Sequence, residues 1–208
     1  SQRFEDWKTD ETTKASVSAT YPHQIFGVMD HDEKLAEKMW RDLPDFIETE
    51  EIILPMIDVS GSMYGNALQV AISLGMYLAQ RNKSQFVNTF LTFSENPQFV
   101  RIPSNPGVTL AEKFQTINSS EWGMNTNFEK AYTKILELAT KHNVDPKSMP
   151  TMLLCLSDMQ FDDSGNYNLH LDNIKDEYRS AGYELPKLVF WDLEAHAGQP
   201  AECSDEYV

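Results

Sequence analysis

Cysteine is nearly absent: the chain has Cys155 inside an apolar run and Cys203 in a polar tail, and no others. Two cysteines so placed make neither a disulfide framework nor a zinc spacing, and they point to a reduced, intracellular setting. Cys155 reads as a small core residue. Long hydrophobic runs are missing as well. No stretch approaches the roughly 18 uninterrupted apolar residues of a membrane helix, and Ser1-Gln2-Arg3-Phe4-Glu5-Asp6 lacks the apolar stretch of a signal peptide. No membrane association is expected. Basic side chains are scarce, 17 Lys and Arg against 32 Asp and Glu, for a formal net charge of -15. That balance repels a phosphate backbone on average. The Lys and Arg present, such as Arg81 with Lys83 or Lys141 with Lys147, are scattered along the chain. Direct nucleic-acid binding by this segment is therefore not expected.

What is present is ordinary globular material: 41% hydrophobic and 24% charged residues, well away from the signature of disorder. At 208 residues, one domain with additions is the natural division. Residues 1 to about 20 are polar and read as an extended lead-in. Asp32 to Trp40 has helical composition, with Leu35, Met39 and Trp40 on one side. Residues 1–48 thus form an extension carrying one helix packed on the domain.

The domain itself, 49–195, opens with Ile52-Ile53-Leu54-Pro55-Met56-Ile57, a continuous apolar run typical of a strand buried on both faces. It ends in Asp58. Asn66 to Gln80 is long and apolar enough for the crossover helix of a parallel sheet. Phe86 to Phe93 alternates at period two and is followed by Ser94-Glu95-Asn96-Pro97 and then Phe99 to Ile102, a hairpin. Thr109 to Ile117, Phe128 to His142 and Leu169 to Ala181 read as helices. Met152 to Ser157 is a second buried strand, ending in Asp158, and Lys187 to Trp191 a further one. This order describes an open, doubly wound α/β sheet, mostly parallel, with one antiparallel edge strand and helices on both faces. Ligands in such sheets sit at the carboxyl ends of strands, at the switch point.

Asp58-Val59-Ser60-Gly61-Ser62-Met63 sets a carboxylate and two hydroxyls at alternate positions just past a buried strand, with Gly61 allowing a tight loop. Hard cations such as Mg²⁺ take oxygen ligands and keep some water, so few carboxylates suffice. Alone, the loop reads first as an ordinary turn in which Asp58 or a serine caps the next helix. Trp122-Gly123-Met124-Asn125-Thr126-Asn127-Phe128 before a helix and Leu156-Ser157-Asp158 ending a strand tip the balance toward a site.

With these residues the chain resembles the von Willebrand A family, whose metal-ion-dependent adhesion site uses Asp-x-Ser-x-Ser, a distant Thr and a distant Asp. The resemblance implies a site for one divalent cation, Mg²⁺ with Mn²⁺ or Ca²⁺ as alternatives, held by Asp58, Ser60, Ser62, Thr126 and Asp158. Gly61, Asn125, Asn127, Asp162 and Asp192 are candidates for its rim. The remaining coordination position would take water or an Asp or Glu carboxylate from a protein partner. A second resemblance, over about residues 21–195, is to a viral and eukaryotic family related to the A domain of TROVE/Ro ribonucleoproteins. It rests on Tyr21-Pro22-His23, Asp58 to Met63, Trp122-Gly123 with Asn125 to Phe128, Ser157 to Asp162, Ala181 to Pro186 and Phe190-Trp191-Asp192. It implies a part in a ribonucleoprotein assembly. A domains have a further strand and helix where this chain has the polar tail 196–208, which reads either as their truncated remnant or as a sheet that ends early, with an exposed edge open to pairing with another chain.

No catalytic constellation emerges. A phosphotransferase of the haloacid dehalogenase type needs an aspartate where Ser60 stands, and no Gly-x-x-x-x-Gly-Lys-Ser/Thr loop occurs. Ser60 or Ser62 as a nucleophile would need a base that no histidine is placed to supply. His23, His142 and His170 have no partners at ligand spacing. Trp122 and Trp191 read either as rim or as core.

Overall fold

The two apolar runs that end in aspartate become the two central strands of one sheet. The computed structural model describes residues 2–10, 12–59, 63, 65–120, 127–158 and 171–193. In it β1 (Ile53–Ile57) lies parallel to β4 (Met152–Ser157), in register from Ile53↔Met152 to Ile57↔Leu156. β2 (Thr89–Thr92) pairs parallel on the other side of β1, and β3 (Phe99–Arg101) closes that side antiparallel to β2. β5 (Lys187–Asp192) lies parallel to β4, giving the order β3-β2-β1-β4-β5. The expected fold class is the one observed: a mostly parallel, doubly wound sheet with one antiparallel edge and helices on both faces, consistent with a von Willebrand A or Rossmann-like architecture.

Strand alternation splits the core into two layers. Ile57, Phe90, Leu154 and Leu156 face α4 (Asn66–Arg81), α5 (Leu110–Asn118) and the amino-terminal helices. Leu54, Met56, Leu91, Leu153 and Cys155 face α6 (Phe128–His142) and α7 (Leu171–Ser180). The chain leaves β1 through α4 on one face and leaves β4 through α7 on the other. The carboxyl ends of β1 and β4 therefore flank the switch point. α4 approaches β1 closely at Gly75, where a Cβ would stand 2.3 Å from Ile57 Cδ1.

Two expectations need correction. Residues 1–20 are not simply extended, because α1 (Gln2–Thr9) precedes α2 (Pro22–Met29) and α3 (Glu33–Asp42), so the extension carries three helices in place of one. Tertiary contacts hold α1 in spite of its polar sequence. Lys38 Nζ on α3 is buried and donates to Asp10 O (2.6 Å) and Thr13 O (2.7 Å), while Lys8 Nζ reaches Asp32 Oδ2 at 2.6 Å. α2 starts at Pro22, where a missing N–H costs nothing, and buries Ile25 and Phe26. The strand expected over Phe86 to Phe93 is shorter. Asn88 has φ +57° and its N–H donates to Ala79 O at 2.8 Å, which interrupts the extended backbone until Thr89.

Candidate metal centre

Asp58 and Asp158 each follow a central strand directly, and both are buried, 2% and 6% exposed. The register carries one step past β1, since the Asp58 N–H donates to Leu156 O at 3.0 Å. Asp58 thus lies beside Ser157, with Asp158 one residue beyond. Alternation turns the Asp58 and Ser157 side chains to the α6 and α7 face, where the Ser157 hydroxyl donates to Asp58 Oδ2 at 2.6 Å. That bond fixes the carboxylate's rotamer. The Cys155 thiol, fully buried two residues earlier on β4, is pushed well up by burial and then by the charge of Asp58, so it is no nucleophile.

The neighbouring strand ends converge on the same end of the sheet. The Phe93 N–H donates to Ile57 O (3.2 Å) and the Leu193 N–H to Ser157 O (2.9 Å). Asn127 caps α6: its side chain accepts from the Lys130 N–H at 2.9 Å, and its own N–H donates to Ser94 O at 3.2 Å. The chain just before α6 is thereby tied to the end of β2, where Thr92 and Ser94 are buried with their hydroxyls 3.3 Å apart.

Of the residues singled out in the sequence, the structure brings Asp58 and Asp158 to adjacent strand ends, and Asn127 to the amino terminus of α6. Asp192 ends β5 in register with Ser157 and is exposed. Ser60, Gly61, Ser62, Asn125, Thr126 and Asp162 lie outside the described residues. Trp191 is half exposed, so it is not part of the buried core. Ser157 was not singled out as a contributor. Its signal was present in the alternation of β4, but its partner is 99 residues away and visible only once the strands are paired.

The donor chemistry fits a hard cation, being all oxygen with two carboxylates at the mouth of a parallel sheet. Among the described residues no group of three or more His, Cys, Asp or Glu gathers into a metal-binding cluster.

Sequence comparison assigns this sheet to a family. Residues 53–208, beginning at the first residue of β1, match the family described as a domain of unknown function, DUF7788. The chain belongs to the DUF7788 family. Its three amino-terminal helices precede the matched region. The chain is also similar to a protein of Acanthamoeba polyphaga mimivirus named Uncharacterized protein L728, with 29% identity over 190 residues, covering 87% of this chain and 32% of the viral protein. Among solved structures it is similar to the Ro (RSR) protein of Deinococcus radiodurans at 20% identity and a TM-score of 0.44, covering 83% of this chain and 32% of that one. This DUF7788 chain thus spans about a third of the length of both relatives. No described helix is long and apolar enough to cross a membrane.

Proposed function

We propose that this DUF7788 domain holds one divalent cation, Mg²⁺ with Mn²⁺ or Ca²⁺ as alternatives, at the crevice between β1 and β4, and uses it to bind an Asp or Glu carboxylate of a protein partner. The proposed ligands are Asp58, Ser60, Ser62, Thr126 and Asp158, directly or through water. The observation that carries this reading is the pair of buried carboxylates at the carboxyl ends of the two strands flanking the switch point. Withdrawing a charged carboxylate from water is costly unless something compensates it. A dication is a natural source of compensation.

When bound, the ion would supply a concentrated positive charge with an open coordination position. Such a charge lets a protein of net charge -15 accept an acidic group that its overall field repels. The Ser157 hydroxyl keeps Asp58 aimed, and the apolar strands beneath exclude water from that side. A binding role is preferred to catalysis because neither the sequence nor the described residues supply a nucleophile paired with a base. A ribonucleoprotein role has the TROVE resemblance behind it and no observation among the described residues.

Water-proton relaxation of Mn²⁺ added to the metal-stripped protein tests the open position. The expected result is relaxation enhancement from protein-bound Mn²⁺ that falls as acetate is titrated in, since the carboxylate displaces water. Bound Mn²⁺ whose relaxation ignores acetate, or no bound Mn²⁺, contradicts the reading.

A further inference from the structure

Among the described residues β3 is a free edge of the sheet. Thr92 N–H donates to Gln98 O and Ile102 N–H to Asn88 O, so with Phe90 opposite Val100 the alternate residues 98, 100 and 102 face β2. The backbone N–H and C=O groups of Phe99 and Arg101 therefore point away from the sheet. Among the described residues nothing pairs with them. Such an edge is a template for another strand.

The side chains beside this edge are chemically unlike the rest of the molecule. Phe99 and Arg101 lie on the α6 face, opposite Leu91 and Thr89. Between them and α6 run two adjoining hollows of about 280 and 340 Å³, which share Phe99, Leu138 and His142. Lys130, Lys134 and Lys141 recur on α6 at intervals of four and seven, one helical stripe roughly 16 Å long. It faces β3, since Lys130 Nζ lies 2.8 Å from Asn96 Oδ1 and Lys134 Nζ 3.5 Å from Gln98 Oε1. Arg101 closes the other side. Among the described residues none of these four cations is in a salt bridge. Glu137 is the acid that lines the first of these hollows. Sequence order hides this cluster, because Arg101 and the lysines of α6 meet only through the β2-β3 hairpin.

We propose that this groove docks an acidic, extended segment of a partner protein, added as a strand to the free edge of β3 with its acidic side chains against Lys134, Lys141 and Arg101. Free backbone donors and acceptors beside side-chain hollows are the features of strand addition. Charge complementarity selects an acidic occupant. A single-stranded nucleic acid is the weaker fit, because Phe99 packs against Phe86 with rings 6.2 Å apart rather than standing free to stack on a base.

The test is fluorescence anisotropy at low salt, with chelator present so that no cation site contributes. The probe is a labelled eight-residue peptide alternating Glu and Val, titrated with the full chain. Saturable binding is expected, weakened about tenfold or more by Arg101→Glu and by the Lys134→Glu/Lys141→Glu pair. It should be lost when the peptide is N-methylated on the residues whose N–H groups face β3, and be absent for a Lys-Val peptide. Asp58→Ala should bind as the parent does, which separates this site from the cation site. Arg101, Lys134 and Lys141 are at exposed or half-exposed positions, and circular dichroism melts confirm that all variants fold, that of the buried Asp58 included. Absence of saturable binding, equal affinity in the charge-reversed variants, or indifference to N-methylation overturns the proposal. Tighter binding of an eight-nucleotide oligouridylate overturns it in favour of a nucleic-acid surface.

Discussion

At the scale of single residues, the candidate site turns on a hydroxyl outside the ligand set that the resemblance implies. Ser157 is 1% exposed and its hydroxyl donates to a buried carboxylate. Hydrogen bonds to charged groups contribute about 1.5–3 kcal/mol. Ser157→Ala is expected to lower unfolding free energy by that order in denaturant melts, and to weaken Mg²⁺ binding roughly tenfold, as loss of a ligand-orienting partner does. An unchanged Mg²⁺ affinity would remove Ser157 from any role in positioning. Asp58 and Asp158 were legible because each ends an apolar run, and a carboxylate there is costly unless it has a use. The bond between Asp58 and Ser157 was not legible, because it depends on the pairing of β1 with β4 and no local pattern encodes that register.

Elements show the same division between local and tertiary causes. α6 was readable to its last residue, since Asn127 caps its start and Asn143 ends it in the left-handed region. α1 was not, because its helicity depends on Lys38 and Lys8, which anchor it to α3. Lys38→Met takes the donor from the half-buried Asp10 and Thr13 carbonyls, each at a cost of up to about 1–3 kcal/mol. It should release α1 while the sheet persists, read as loss of the Trp7 indole shift in NMR spectra, because Lys38 Nζ lies 4.8 Å from that ring. Acid should do the same. Asp32 is held low by the Lys8 ammonium and the Leu35 N–H. Asp42 is also low: burial pulls it up, but the Ala15 N–H and Arg41 together outweigh that. A depressed folded-state value means that the stabilisation is complete above the ordinary Asp value, about 3.9, and is lost as pH falls through the lower one. Between pH 7 and 5 the Trp7 signal should stay constant, and it should change below about pH 4. α4 offers the converse case. Gly75→Ala gains helix propensity of about 1 kcal/mol, yet it drives a methyl into Ile57, and overpacking costs about 1–3 kcal/mol. A net loss of stability in denaturant melts is expected; a gain would mean that Ile57 moves aside freely.

For the whole molecule, the doubly wound topology brings strands distant in sequence to one mouth. Its class was legible because strands and helices alternate with buried apolar runs. What the linear chain concealed were surfaces assembled from separate segments, above all the cationic groove between β3 and α6 in a chain of net charge -15. The two proposed sites ask different things of a partner: a single carboxylate on a cation at the mouth of β1 and β4, and an extended acidic segment along β3.

Calorimetric titration of Mg²⁺ into the metal-stripped protein, beside Asp58→Ala and Thr126→Ala variants whose fold is confirmed, tests the central claim most directly. One saturable site in the parent, abolished by Asp58→Ala and weakened by Thr126→Ala, is the predicted result. Absence of binding in the parent, or equal binding in all three proteins, would contradict the account and leave Asp58 and Asp158 as structural residues of the strand ends.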